Sequence, residues 1–307
     1  MDILDHKLYI PSIKAYIDPL MPVDKAIITH AHADHARPNH NKVLATEDTI
    51  NIMKIRYGND CANFFQIAKY GERIYLDGTV ITFFPAGHIL GSAQILIEYK
   101  KIKVLVTGDF KTIPDRTAQR YQLVKCNHLV TETTFGLPIF KHPDPKKEIK
   151  KLIDSIKNNV EKCHLVGAYA LGKAQRIIKL LRDDGYNEEI YIHGALEKIS
   201  NYYSYKNIEL GKVVKINKEN KNLIRGKLVI APPSALKDRW SRNLSNIKLC
   251  MASGWMSVKQ RAKQKLVELP LIISDHADWN ELTSTIKESG AEKVWLTHGR
   301  DEGLRYW

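Results

Sequence analysis

Three histidines and an aspartate occupy six consecutive positions, His30-Ala31-His32-Ala33-Asp34-His35, and no other stretch constrains this chain as much. An apolar run at 23–28 precedes them, with Pro22 before it and polar residues at its exit, the pattern of a buried strand. His30 and His32 are two residues apart, so in extended chain both imidazoles lie on one side and reach one cation. Asp34 and His35 are expected where the chain turns into a helix, aimed at a second position nearby. Nitrogen and carboxylate donors in this mix suit Zn²⁺, and Mn²⁺ or Fe²⁺ less specifically. A solitary His-x-His is commonly a surface feature. Four donors at this spacing, directly after an apolar strand, make a metal site.

The 307 residues suffice for one large or two medium domains, and no apolar run approaches the ~18 residues that a membrane span needs. The start, Met1-Asp2-Ile3-Leu4-Asp5-His6, is acidic and lacks the basic start and apolar core of a secretion signal. Four scattered cysteines (Cys61, Cys126, Cys163, Cys250) form no Cys-x-x-Cys pair, which points to reduced thiols in a cytoplasmic protein. Net charge is +13, and its distribution is uneven: residues 141–264 hold 26 Lys/Arg against 12 Asp/Glu, the rest of the chain 21 against 22. All the excess positive charge therefore lies in the middle segment, as expected of a polyanion-binding surface. From Lys237 to Lys263 there are seven basic residues and one acid, with Trp240 and Trp255 among them. Basic side chains interleaved with aromatics suit a groove that tracks a nucleic-acid backbone and stacks bases.

Period-two apolar patterns predict strands at 7–9, 15–17, 23–28, 74–76, 80–84, 93–99, 104–107 and 129–131, and a helix over 46–57 capped by Thr46 or Thr49. The character changes around Gly136-Leu137-Pro138. An amphipathic helix at 144–160, a strand at 164–168, a helix at 173–183 and strands at 190–193, 213–215 and 228–231 follow in alternation, the signature of a parallel α/β sheet. A strand near 271–274 leads into Asp275-His276-Ala277-Asp278 and a helix over 279–289, and a last strand at 294–297 ends at His298-Gly299.

Five further polar residues stand at strand exits: His88 in the glycine-bracketed loop 87–91, Asp109 after Thr107-Gly108, then Glu132, His276 and His298. Strand exits along one sheet edge converge in space, so one site can gather them. The run from Gly167 through Gly172-Lys173-Ala174-Gln175-Arg176 passes from strand into helix, where backbone amides with Lys173 and Arg176 offer a phosphate site. Ser253-Gly254-Trp255 reads as another strand-exit loop, with Trp255 placed to stack on a base.

In that order, the His30–His35 motif, Gly87-His88, Asp109 and His298 resemble the metallo-β-lactamase fold. Glu132, His276 and His298 resemble the three additional motifs of its nucleic-acid-processing branch, the β-CASP nucleases. The stretches 29–38, 87–94, 131–138, 167–176 and 274–278 are similar to the bacterial ligase-associated DNA exonucleases, over about residues 8 to 300 in all. The resemblance implies an α/β chain: an αββα sandwich at 1–137 and 265–307, with an α/β β-CASP cap inserted at 138–264 and substrate in the cleft between them. It implies two divalent cations, Zn²⁺ or else Mn²⁺, with His30, His32 and His88 on the first, Asp34, His35 and His298 on the second, and Asp109 on both. The nucleophile is then a hydroxide shared by the cations and oriented by Asp34, while Glu132 fixes His276, which serves the leaving oxygen. The implied partners are DNA, an ATP-dependent DNA ligase and a helicase, with no membrane. Only nine residues follow His298, which leaves a C-terminal helix short or missing.

Three other functions compete with this reading. An RNA-processing nuclease shares the fold, since nothing in the sequence visibly reads a 2′-hydroxyl. A small-molecule hydrolase shares the core but has no need of the basic insertion. A non-enzymatic nucleic-acid binder requires broken metal motifs, and every donor is present.

Overall fold

The computed structural model describes residues 3–5 and 7–307, and the reading of 1–6 as lacking a secretion signal falls partly on Met1, Asp2 and His6, outside the described residues. The chain divides into two compact units, Met1–Ile139 with His276–Trp307, and Phe140–Asp275. No helix among the described residues is long and apolar enough to cross a membrane.

The first unit contains two sheets. One runs in the order β1 (Tyr9–Ile10), β2 (Ala15–Ile17), β3 (Lys25–Ile27), β4 (His40–Ala45), β5 (Ala62–Ile67). The other stacks β6 (Arg73–Leu76), β7 (Thr79–Pro85), β8 (Ala93–Tyr99), β9 (Ile102–Val106) and β10 (His128–Thr133) edge to edge, and the strand Lys293–Gly299 closes it by pairing in parallel with β10. Strand periodicity decides the layering, because successive side chains point to opposite faces. Ile17, Ile27 and Leu44 of the first sheet meet Ile81, Phe83, Ile95, Ile97, Val104 and Val106 of the second in one buried core. The intervening residues face outward: Ala26, Val43 and Ala45 pack against Ile50 and Met53 of the helix Glu47–Tyr57. Leu96, Leu105 and Leu129 pack against Ile286 of the helix Trp279–Ser289. Helix, sheet, sheet, helix is the resulting order of layers.

Local chemistry sets the helix ends. Thr46 caps the helix Glu47–Tyr57 by accepting from Thr49 N–H at 3.3 Å, with Glu47 and Asp48 in the first turn where the helix dipole favours anions. Both threonine hydroxyls donate to the Gly91 carbonyl, at 2.6 and 3.0 Å. A Cβ at Gly91 would stand 2.7 Å from Asp48 Cβ, so glycine is what lets the 87–91 loop dock here. The helix Trp279–Ser289 carries a capping box, in which Asp278 accepts from Glu281 N–H and Glu281 returns to Asp278 N–H.

After His32 the chain departs from the expected helix. Ala36 N–H and His35 N–H both reach His32 C=O, at 2.8 and 3.1 Å, which makes one turn and no more. Pro38 disfavours helical geometry at Arg37, and Asn39 adopts φ 72°, so the chain swings directly into β4.

The second unit is a parallel α/β sheet in the order Val213–Lys215, Ile190–Ile192, Leu228–Ala231, Cys163–Gly167, Ile247–Ala252, Leu269–Leu271. Its central strands, Cys163–Gly167 and Leu228–Ala231, are buried along their whole length, as parallel strands covered on both faces must be. The strand expected near 271–274 lies slightly earlier, at Leu269–Leu271, and belongs to this sheet. The helix Pro145–Asn158 leads into Cys163–Gly167, and helices Lys173–Asp183 and Glu197–Tyr205 connect later strands.

Candidate metal centre

Strand exits of both sheets of the first unit deliver side chains to one place. His30 Nε2 and His32 Nδ1 approach to 3.1 Å, and His32 Nδ1 and His88 Nε2 to 3.0 Å. Asp109 Oδ2 lies 3.5 Å from His30 Nε2, 3.8 Å from His88 Nε2 and 3.4 Å from His35 Nε2. Ligand-type atoms of His30, His32, His88 and Asp109 all fall within 4.8 Å of one another. Three ring nitrogens this close cannot all satisfy one another with protons, and a shared cation resolves the crowding. Asp109 Oδ1 is buried without a hydrogen-bond partner among the described residues, a cost that ligation removes. The residues present fit a divalent cation.

The second set is more open. His35 Nε2 stands 3.9 Å from Asp34 Oδ2, and the His298 ring packs beside His35 with centroids 4.7 Å apart. Asp34 is 72% exposed, and neither it nor His298 joins a group as tight as the first. His298 reaches this position by a bulge: Glu132 pairs with Thr297 and Thr133 with Gly299, so His298 is the extra residue, held at φ 49°. Bulges and left-handed non-glycine residues re-aim side chains at the rims of sites.

Electrostatics follow from burial and crowding. Burial, aided by the neighbouring His35, pulls the His30 pKa well below the ordinary imidazole value. Burial acts the same way on His35, but Asp109 and then Asp18 outweigh it and hold that imidazole well above the ordinary value. For Asp109, burial alone would raise the pKa; His35, His276 and His30 outweigh it and keep the carboxyl ionised well below the usual range.

Asp18 escaped the sequence reading. It follows β2 at a strand exit of its own, with φ 47°, and its carboxylate accepts from Thr29 N–H at 2.7 Å and binds His35 Nδ1 at 2.7 Å. That contact fixes the ring so that Nε2 faces Asp109, the carboxylate–histidine pairing that orients metal ligands. No spacing signal links residues 18 and 35; only the shared strand-exit position could have revealed it. Asp18→Asn is expected to lower divalent-metal affinity about 10–100-fold with the fold retained, read by competition against a chelating fluorophore. Arg56 donates to Ala31 C=O and anchors the motif from the helix side.

Glu132 and His276 meet at the edge of this cluster. Glu132 is buried, with Oε1 accepting from Phe110 N–H at 2.8 Å and Oε2 lying 2.9 Å from His276 Nδ1. His276 Nδ1 is also 3.9 Å from Asp109 Oδ2, and the side chain is 20% exposed. The carboxylate sets the tautomer, which leaves the chemistry to Nε2.

The remaining residues named from the sequence lie in the second unit. Lys173 opens the helix Lys173–Asp183 and is buried, its Nζ 2.7 Å from Asp275 and over the Tyr169 ring. Arg176 is buried one turn later. Trp255 is half-buried, with Phe140 at its edge and the Arg261 guanidinium 4.0 Å from its ring centre.

No family model matches the chain. Among curated proteins it is 25% identical, over 98% of its length, to a protein described as a probable DNA ligase from Opitutus terrae, of which it spans 30%. It is 30% identical over 52% of its length to an RNase J-like protein of Methanocaldococcus jannaschii, spanning 44% of that protein. It is also 29% identical over 60% of its length to the endoribonuclease ysh-1 of Neurospora crassa, spanning 25% of it. The chain thus covers less than half of each of these relatives. Among solved structures, a protein of unknown function from Enterococcus faecalis matches with a TM-score of 0.61 at 13% identity, over 90% of this chain and 75% of that one.

Proposed function

We propose, from the premise that the chain belongs to the β-CASP branch of the metallo-β-lactamase fold, that it is a metal-dependent phosphodiesterase that degrades DNA from an end. The observation that carries this reading is the meeting of the His30, His32, His88 and Asp109 cluster with the Glu132–His276 pair. Work in DNA repair, beside an ATP-dependent ligase and a helicase, is part of the proposal and is supported by similarity over nearly the whole chain to a protein described as a probable DNA ligase. Four buried free cysteines suit a reducing, cytoplasmic setting.

His30, His32 and His88 would hold one cation, Asp34, His35 and His298 a second, with Asp109 reaching both. Divalent cations, Zn²⁺ or Mn²⁺, supply charge against the scissile phosphate and lower the pKa of the attacking water when bound. Asp34 orients that water and takes its proton as oxygen attacks phosphorus. The bond from phosphorus to the leaving oxygen breaks, and His276 Nε2 gives that oxygen a proton, with Glu132 stabilising the imidazolium that donates it. The excess cations of residues 141–264 attract the polyanion; Lys173 and Arg176 act there through potential, and Trp255 is the candidate for stacking on a base.

RNA is the second reading, favoured by the ribonuclease descriptions of two relatives. The test is cleavage of end-labelled single-stranded DNA and matched RNA by protein loaded with Zn²⁺ or Mn²⁺, with His32→Ala as control. Progressive loss of DNA from one end, absent in the variant, is the expected result. Cleavage of RNA alone would move the chain to the second reading, and cleavage of neither by metal-loaded protein would overturn both.

A further inference from the structure

A buried ion pair, Lys111 with Glu281, lies outside the proposed ligand set. Lys111 and Glu281 are 2% and 7% exposed and in direct contact. Glu281 does more than neutralise the lysine. Its Oε1 accepts from Thr112 N–H at 2.9 Å, Thr112 Oγ1 at 2.8 Å and Ile113 N–H at 3.1 Å, while Oε2 accepts from Asp278 N–H at 3.0 Å. One carboxylate therefore joins two turns: the one that follows Asp109 and the one that follows His276.

Between those anchor points run the bonds that align the Glu132–His276 pair. Phe110 N–H donates to Glu132 Oε1 at 2.8 Å, and Phe110 C=O accepts from Ala277 N–H at 2.6 Å. Lys111 N–H donates to Ala86 C=O at 3.0 Å, two residues before His88. A shift of the 110–113 turn would thus move the Glu132 carboxylate and the His276 ring against Asp109, which has His30 and His35 as its own neighbours. Lys111 holds the Glu281 pKa below the ordinary carboxylate value despite burial, which keeps the acceptor charged. Buried ion pairs add little net stability over an apolar replacement of the same volume, so stability is a weak reason for one here.

We infer that Glu281, paired with Lys111, is a positioning residue that sets the Glu132–His276 pair against Asp109. The inference rests on the proposed phosphodiesterase reading, and its test separates the two. The probes are single-stranded DNA and the same DNA with sulfur in place of the bridging leaving oxygen, a leaving group that needs no proton. On ordinary DNA, Glu281→Gln is expected to lower kcat about 30-fold or more with KM within about twofold, because only alignment at the reaction is lost. On the sulfur substrate the loss is expected to shrink to about threefold or less, as it should for His276→Ala. Lys111→Met should follow the same pattern, and Glu281→Asp should recover part of the rate.

An equal loss on both substrates, or none on either, overturns the inference and leaves a merely structural ion pair. A second readout is independent of turnover: the Nδ1 proton resonance of His276, held by Glu132 in the parent protein. It is expected to shift or broaden in Glu281→Gln, and an unchanged resonance overturns the inference. Should the parent protein cleave neither substrate, the phosphodiesterase reading falls, and the resonance alone decides whether Glu281 positions His276.

Discussion

Asp109→Asn is expected to remove activity by at least about 10³-fold, because several kcal/mol of transition-state charge stabilisation depend on a cluster this carboxylate completes. Asp109 faces His30, His35, His88 and His276 within 3.9 Å, and it is the only carboxylate in the four-member donor group with His30, His32 and His88. Asparagine keeps the shape and loses the charge. Its amide nitrogen can donate but cannot ligate, so it opposes cations at the point where they must be drawn together. The imidazoles gain nothing in exchange, since the pKa elevation of His35 depends first on Asp109 among its favourable partners. Metal analysis of the purified variant should show at least one equivalent lost, with far-ultraviolet circular dichroism unchanged. Full metal content with full activity would remove Asp109 from the ligand set.

His276→Ala is the second large effect, with kcat expected to fall about 10²–10⁴-fold, the usual worth of a positioned general acid. Metal content should not change, since no ligand of the first set is touched. Glu132→Gln is expected to fall within the same range, because the amide donates to Nδ1 or leaves it in the wrong tautomer. The double variant should be little worse than either single one, as happens when two residues act as a unit. Additive losses in the cycle would show that Glu132 serves the site by another route, through its bond to Phe110 N–H.

Much of this site is legible from local patterns. Thr46 caps its helix, and the segments Ala93–Tyr99, Lys173–Asp183 and Trp279–Ser289 take the boundaries their patterns predict, because each pairs a clear periodicity with a cap or a turn at its end. The misses have physical causes. β4, with His40, Asn41 and Lys42 in its first half, and β5, with Phe64 63% and Ile67 51% exposed, lack the alternation that marks a half-buried strand. Ile247–Ala252 shows no alternation either, being covered on both faces of a parallel sheet along its second half. The helix expected after Asp34 yields to Pro38 and Asn39. Asp18 and Glu281 act across 17 and 170 residues of sequence, on His35 and Lys111, distances at which no spacing rule operates.

The strand Lys293–Gly299 lies beside β10, although the whole of the second unit separates them in sequence. Long-range parallel pairing of this kind closes late, since the entropy of the intervening loop must be lost before the contact forms. His30, His32, His88 and Asp109 all precede the second unit, whereas His276 and His298 follow it. A growing chain therefore presents the first donor set before it holds His276 or the bulged His298. On the proposed reading the order of synthesis separates cation binding from proton donation, so the chemistry waits on the strand Lys293–Gly299.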